Sequence, residues 1–385
     1  MSPYQRQRQH RHQLSLEGIL DFSQPFTLPP HESQAARAIF QELINNYDSE
    51  QRPPRGYKPI ALVQATFDHV ASKDTFLMLF LSFLYETLCS RRGDGAESDI
   101  SPYLAYFSDL ASWNSARLSE AYGGIEAFAE FIVENFLLPR MSLVGEDPTT
   151  NTSIVILNTN AYADWDKGAY IYTERTLREA RKRFDQYGED SKDDDGNLLR
   201  EEINERFSFL EVAHILPHSL VTVASADTEL SDSKKNALRI LDMFDPGIIH
   251  LIEYPKIDSP MNALTLTLDN HRLFGEFQIY FEPTGMPHEY RIDSTERSPF
   301  LRDPIFPITR TLSLSPNRTI DPPSPRLLGV HRAISRIMNL SGAGEYIDRI
   351  LEDLEKMNVK EDGSTNLGQI MKLRLGGWPH TLTVF

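Results

Sequence analysis

Cysteine occurs once, at Cys89, so the chain can close no intramolecular disulfide and can build no cysteine-rich structural zinc site. That scarcity fits a reducing compartment. Long apolar runs are also missing: the longest, Phe76 to Tyr85, is too short to span a bilayer. Nor does any segment near the first residue have the basic-then-apolar pattern of a secretory signal. An intracellular setting, nuclear or cytoplasmic, with no membrane partner is therefore expected. Positive charge is short too. Lys and Arg number 39 against 55 Asp and Glu, and the net charge of -16 argues against broad, non-specific binding to a polyanion. The cations that remain are bunched in YQRQRQHRHQ near the N-terminus and in TLREARKRF from Thr176. Either cluster can form a local basic patch, although solvated charge is the plainer reading of each alone.

A chain of 385 residues is too long for one compact core, and two or three domains are expected. Residues 1–30 are polar and then proline-rich, with little to bury, and are read as disordered or loosely attached. Residues 31–145 carry helical patterns. SQAARAIFQELI follows a serine cap, KDTFLMLFLSFLYETL is apolar nearly all round, and GGIEAFAEFIVENFLL ends before Pro139. This segment shows no chemistry of its own, so packing or contact with a protein partner is its expected role. Residues 146–310 alternate between strand and helix patterns, with strands at SIVILNT, SFLEVAHI and NALTLTL and a hairpin from QIYFEP to EYRID. A basic helix from Thr173 to Tyr187 and the amphipathic SKKNALRILDMF belong to the same segment. Residues 311–385 become helical again through LLGVHRAISRIMNLSG and AGEYIDRILEDLEKM, with Ile347, Ile350, Leu351, Leu354 and Met357 on one stripe.

Two segments carry spacings that resemble metal motifs. In GEDSKDDDGNLLREE, a calcium-loop register centred on Gly196 puts Ser191, Asp193, Asp195 and Glu202 at ligand spacing and Leu198 at the apolar position. Its first ligand should be a carboxylate and is Ser191, so a solvated acidic loop is the simpler reading. His214 and His218 have the spacing of a helical zinc pair, but Pro217 lies between them and disfavours a continuous helix.

His214 at a strand end, Asn262 before the next strand and His271 on a short helix form a different pattern. A strand, loop, strand and helix bearing His, Asn and His in that order is the sequence form of a ββα-metal nuclease core. The residue types suit phosphodiester hydrolysis. A histidine titrating near neutrality can deprotonate water, a metal ion can polarise the phosphoryl group, and an asparagine amide can hydrogen-bond the loop that bears the base. Taken singly, His214 can equally be a core residue, Asn262 a turn residue after Pro260, and His271 a surface helix residue.

LEVAHILP followed by SPMNALTLTLDNHRLFGEFQIYFEP resembles the HNH endonuclease family, in particular the branch found in uncharacterised fungal HNH-domain proteins. The likeness runs from about Arg175 to Asp293, and RLLGVHRAISRIMNLSGAGEYI resembles the helical tail often found behind that domain. The resemblance implies an α+β protein, with a central HNH core in residues 146–310 between an N-terminal helical domain and a C-terminal helical extension. It also implies a metal-dependent endonuclease acting on nucleic acid, with DNA as the expected substrate. In that reading His214 is the general base, Asn262 orders the loop and His271 is the metal ligand. Magnesium or manganese is the expected ion, with zinc or nickel left open by the imidazole ligand.

Three positions depart from the family pattern. Many members place a metal-binding Asp or His directly before the base, where this chain has Ala213, and an Asp four residues after the last histidine, where it has Gly275. The strand before the basic helix reads YIYTE rather than Cys-x-x-Thr-Gly. His218 or Glu211 are candidate substitute ligands. Glu211 shares the strand face of Ala213 about 7 Å away, so its side chain has to reach back. The alternative to an enzyme is an HNH-fold binding or scaffold protein whose catalytic site has decayed.

Overall fold

The computed structural model describes residues 26–47, 56–89, 99–141, 170–172, 174–192, 198, 207–217, 232–253, 256–312 and 321–355. The strand expected at SIVILNT, most of the acidic loop, His218 and both chain ends lie outside these residues. The architecture is mixed helix with two small sheets, compatible with α+β. Among the described residues no helix is long and apolar enough to cross a membrane.

The first part is helical: α1 (Pro30–Asn45), α2 (Pro59–His69), α3 (Lys73–Cys89), α4 (Ser101–Phe107), α5 (Ser115–Ile132) and α6 (Leu138–Met141). Apolar residues on several sides of α3 explain its central position, with Phe76, Leu77, Phe80, Leu81 and Leu84 all buried. Phe76 and Phe80 meet Phe40 from α1 and Phe128 from α5 at ring-centroid distances of 5.2–5.9 Å.

Two helix boundaries differ from the sequence expectation. Helix α1 has no serine cap: Pro29 precedes it, Pro30 opens it, and the Ser33 hydroxyl donates instead to Asp74 Oδ1 at 2.7 Å. A proline in the first turn costs nothing there, because its missing N–H would have had no intrahelical acceptor. Nor does the helical path stop before Pro139. Residues Val133–Leu137 form a π-helical turn, in which the N–H of Leu138 reaches the carbonyl of Val133, and α6 follows with Pro139 in its first turn. The wider turn places the proline at a fresh helix start, where it is tolerated.

Strand β1 (Tyr170–Tyr172) is followed by α7 (Glu174–Tyr187) and then β2 (Phe207–His214), which pairs parallel to β1. The amphipathic helix α8 (Asp232–Phe244) buries Ala237, Ile240, Leu241 and Phe244 on one side. Strand β3 (Ala263–Thr267) pairs antiparallel to β2, with His214 opposite Ala263 and Leu210 opposite Thr267. Helix α9 (Leu268–Gly275) leaves β3 without a loop and packs on both strands. Thr267 caps it, accepting from the N–H of Asn270.

The expected hairpin is β4 (Ile279–Pro283) with β5 (Glu289–Ser294). It gains a third strand, β6 (Ile308–Thr311), from a short stretch after Pro307 to which the sequence pattern assigns no element. Helices α10 (Pro325–Ser341) and α11 (Ala343–Glu355) close the described chain. Of the expected stripe on α11, Ile347 and Ile350 are buried and Leu351 packs against the core.

The buried apolar cluster is continuous from α1 to α11. Phe136 stacks on Phe244 of α8 at 5.4 Å, and the N–H of Lys58 donates to the carbonyl of Ser341 at the end of α10 at 2.8 Å. A side chain at Gly56 would run into the Tyr346 ring, its Cβ only 2.1 Å from Cδ2, so glycine is needed for this approach. The helices on either side of the ββα unit thus share one interior with it.

Candidate active site

Strand β2, strand β3 and helix α9 bring the three residues singled out in the sequence onto adjoining elements. Asn262 stands just before β3 and is completely buried. Its Oδ1 accepts from the N–H of Leu216 at 2.9 Å, and its Nδ2 donates to the carbonyls of Leu216 at 2.8 Å and Ile257 at 2.9 Å. The backbone carbonyl of Asn262 also accepts from the N–H of Ile215 at 2.9 Å. One amide therefore satisfies both backbone groups of Leu216, two residues beyond His214, and ties that turn to the Ile257 segment. A buried amide so engaged has no slack, because each lost partner would leave a polar group without water.

His214 ends β2. Its Nε2 lies 3.3 Å from Oδ1 of Asp258, and both side chains are largely enclosed, at 12% and 16% exposure. The sequence reading did not single out Asp258. The only cue was its place four residues before Asn262, where the chain must turn back toward the strand.

His271 sits in the first turn of α9. Its Nδ1 is 2.7 Å from Oε2 of Glu211 on β2, and both side chains are accessible, at 33% and 50% exposure. The strand register explains the meeting: with Leu210 opposite Thr267, the first turn of α9 projects over the neighbourhood of Glu211. Strand alternation puts Glu211 on the face of Ala213, and Ala213 is buried at 1% exposure. At the family's other acidic position, Gly275, the next residue offers no substitute. Glu276 is held by Arg272 at 2.8 Å and by Gln278 at 2.9 Å.

The Glu211 and His271 donors fit a divalent ion in type and spacing. Two adjacent ligands of an octahedral ion with bonds near 2.1 Å lie about 3 Å apart, close to the observed separation. Among the described residues no group of three His, Cys, Asp or Glu forms a ready-made metal cluster, so water or substrate oxygens would have to complete the shell.

The far end of α9 is held by α10. The buried His331 ring stacks on Phe274 at 3.8 Å and on Phe277 at 4.5 Å, and its Nε2 donates to the carbonyl of Phe274 at 2.9 Å. The Ser335 hydroxyl donates to the carbonyl of Phe277 at 2.6 Å. Phe277 adopts a φ of 59°, a conformation costly for an aromatic residue, and its burial against His331 offsets that strain.

With this arrangement in view, comparison with known families shows that residues 188–282 match the model of the HNH endonuclease family. HNH domains are generally nucleases that act on nucleic acid and use a divalent metal ion. The matched segment is about a quarter of the chain and contains β2, β3, α9 and most of the first strand of the hairpin. No curated protein and no solved structure matches the chain.

Proposed function

We propose that the protein is a metal-dependent endonuclease hydrolysing phosphodiester bonds in DNA, with His214 as general base, Asn262 as the residue that orders its loop, and Glu211 and His271 as metal ligands. The observation that carries this reading is the Asn262 clamp on both backbone groups of Leu216, beside the candidate base. A positioned base needs a loop that cannot drift, and fixing the turn after His214 provides it. His214 takes a proton from water as the water oxygen attacks phosphorus. Glu211 and His271 would hold a divalent ion, magnesium or manganese through the carboxylate and water, with zinc or nickel also compatible with the imidazole. When bound there, such an ion supplies positive charge to the phosphoryl and departing 3′ oxygens. The α10 contacts through His331 and Ser335 keep α9, and hence His271, at a fixed height above β2.

A second reading, a binding or scaffold protein with a decayed site, is favoured by Ala213 and Gly275 at two positions where the family often has ligands. One experiment separates the two. Purified protein is incubated with plasmid DNA, and with RNA as a comparison, across magnesium, manganese, zinc and nickel. Ion-dependent nicking that falls about 10²- to 10⁴-fold in a folded His214→Ala variant is expected. No cutting with any ion, or equal cutting by both proteins, would overturn the enzyme reading.

A further inference from the structure

We propose that the turn from Ser298 to Arg302, between β5 and β6, is a wedge for duplex DNA, with Phe300 and Leu301 entering between base pairs. This rests on the nuclease reading above and says how its substrate is held.

Phe300 is 95% exposed and Leu301, beside it, 77%. The turn that carries them is built, not loose. The N–H groups of Leu301 and Arg302 both donate to the carbonyl of Ser298, at 3.2 and 3.0 Å, and the N–H of Ser298 donates to Oε1 of Glu296 at 2.6 Å. Both legs of the turn are pinned. The Arg302 guanidinium bonds the Asp293 carboxylate on β5. On the other leg Arg297 donates to Oδ1 of Asn339 on α10 at 2.7 Å, and the Asn339 amide donates back to the carbonyl of Thr295 at 3.0 Å. The fold thus fixes the turn and leaves two adjacent apolar side chains in water. Such a pair is what an interaction site presents, and its removal from water is favourable wherever a partner accepts it.

Position and charge select DNA as that partner. The N–H and hydroxyl of Thr295 donate to the carbonyl of Gln278, three residues past the end of α9, at 2.8 and 3.2 Å. Measured along the chain from His271 to Gln278 and then from Thr295 outward, Phe300 is at most about 40 Å from His271. That is little more than one turn of duplex, about 34 Å. A net charge of -16 repels a polyanion, so phosphate contacts alone make a poor grip for this chain. Apolar side chains inserted between base steps need no charge, and they hold a duplex by unstacking and kinking it. The ground around the turn is balanced rather than acidic: Arg291, Arg297 and Arg302 stand against Asp293, Glu296 and Asp303. The charges are not equally placed. Asp293 is the enclosed member, with its side chain 12% exposed, whereas Arg291, which bonds it at 3.1 Å, is 49% exposed. A guanidinium therefore faces solvent at the foot of the wedge, where the phosphate beside the opened step would lie.

The test uses the full chain in EDTA, where no strand is cut, and a duplex of about 30 base pairs with a fluorophore at each end. Anisotropy reads binding and energy transfer reads bending. Wild type should bend the duplex by about 20 to 90°. Phe300→Ala with Leu301→Ala should weaken binding about tenfold and abolish the bend, with the salt dependence unchanged. Arg291→Ala should keep the bend and lower the salt slope by about one. All three side chains face solvent, so melting temperatures should not move. A double variant that binds and bends like wild type overturns the wedge, and if that variant also cuts plasmid normally the nuclease reading still stands. A wild type that binds no duplex overturns the wedge too, as does a wild-type dimer that the double variant breaks while duplex binding is unchanged. Wedge-dependent binding and bending by a protein that cuts with no ion supports the inference and overturns the nuclease reading instead.

Discussion

The Glu211 carboxylate and the His271 imidazole meet at 2.7 Å although sixty residues separate them in the chain. Glu211 stands three residues before the candidate base, a spacing that puts it on the opposite face of β2 from His214. The Glu211–His271 pair and His214 thus occupy different sides of one strand. The strand itself, anchored by its pairing with β3, sets their relative height.

This relationship predicts how metal affinity is distributed. Glu211→Gln keeps the shape and removes the charge, and His271→Ala removes the second donor. Each should weaken manganese binding at least about tenfold by titration calorimetry, and the double variant should lose little beyond the worse single one, because both act on one ion. Ala213→Asp, which restores the family's usual acid, should not tighten binding. Ala213 is buried at 1% exposure, and an unpaired carboxylate there should cost about 2 to 4 kcal/mol in stability. Unchanged affinity in Glu211→Gln, or a stable Ala213→Asp with tighter binding, would move the ion away from Glu211.

The fold was legible where a single local signal decides it. The β2 alternation, the α8 face and the compact run from Asn262 to His271 each needed only their own residues. What escaped the sequence depends on tertiary context. Pro139 looks like a helix stop, but a π turn gives it a new helix start. Strand β6 is only four residues, β-branched but too short to stand out, and it is fixed by pairing with the edge of β5. Asp258 looks like any loop aspartate until the Asn262 clamp folds its turn back against β2. Glu211 was visible as a candidate, but the helix turn that reaches it is fixed by register, which the sequence states only indirectly.

Asn262 should be more important for stability than a turn residue could be. Asn262→Ala strips three hydrogen bonds from buried backbone groups of Leu216 and Ile257. At about 1 kcal/mol net for each, and more where a group stays unsatisfied, urea denaturation should show a loss of about 2 to 4 kcal/mol. Cleavage should fall with it, because His214 and Asp258 both flank the released turns. A variant as stable as wild type would show that Asn262 does not clamp the Leu216 turn.

Stability should also depend on pH through the packing of α11. Asp348 on α11 is partly buried, and that burial, followed by repulsion from Glu276, Glu345 and Glu352, pushes its carboxyl up to about 6. In the unfolded chain the same group titrates near the ordinary carboxylate value of about 4. Between these two values the folded protein holds more protons than the unfolded one, so stability declines as pH rises from about 4 to about 6 and then levels off. The sign is opposite to that of a salt-bridged carboxylate. Asp348→Asn removes the charge that has to be buried beside Glu276, and it should raise stability at pH 7.5 by about 1 to 3 kcal/mol. At pH 4, where Asp348 is already protonated in the folded protein, the gain should nearly vanish. Melting curves of both proteins at the two pH values measure this directly. A gain of equal size at both would show that charge at residue 348 does not oppose the packing of α11.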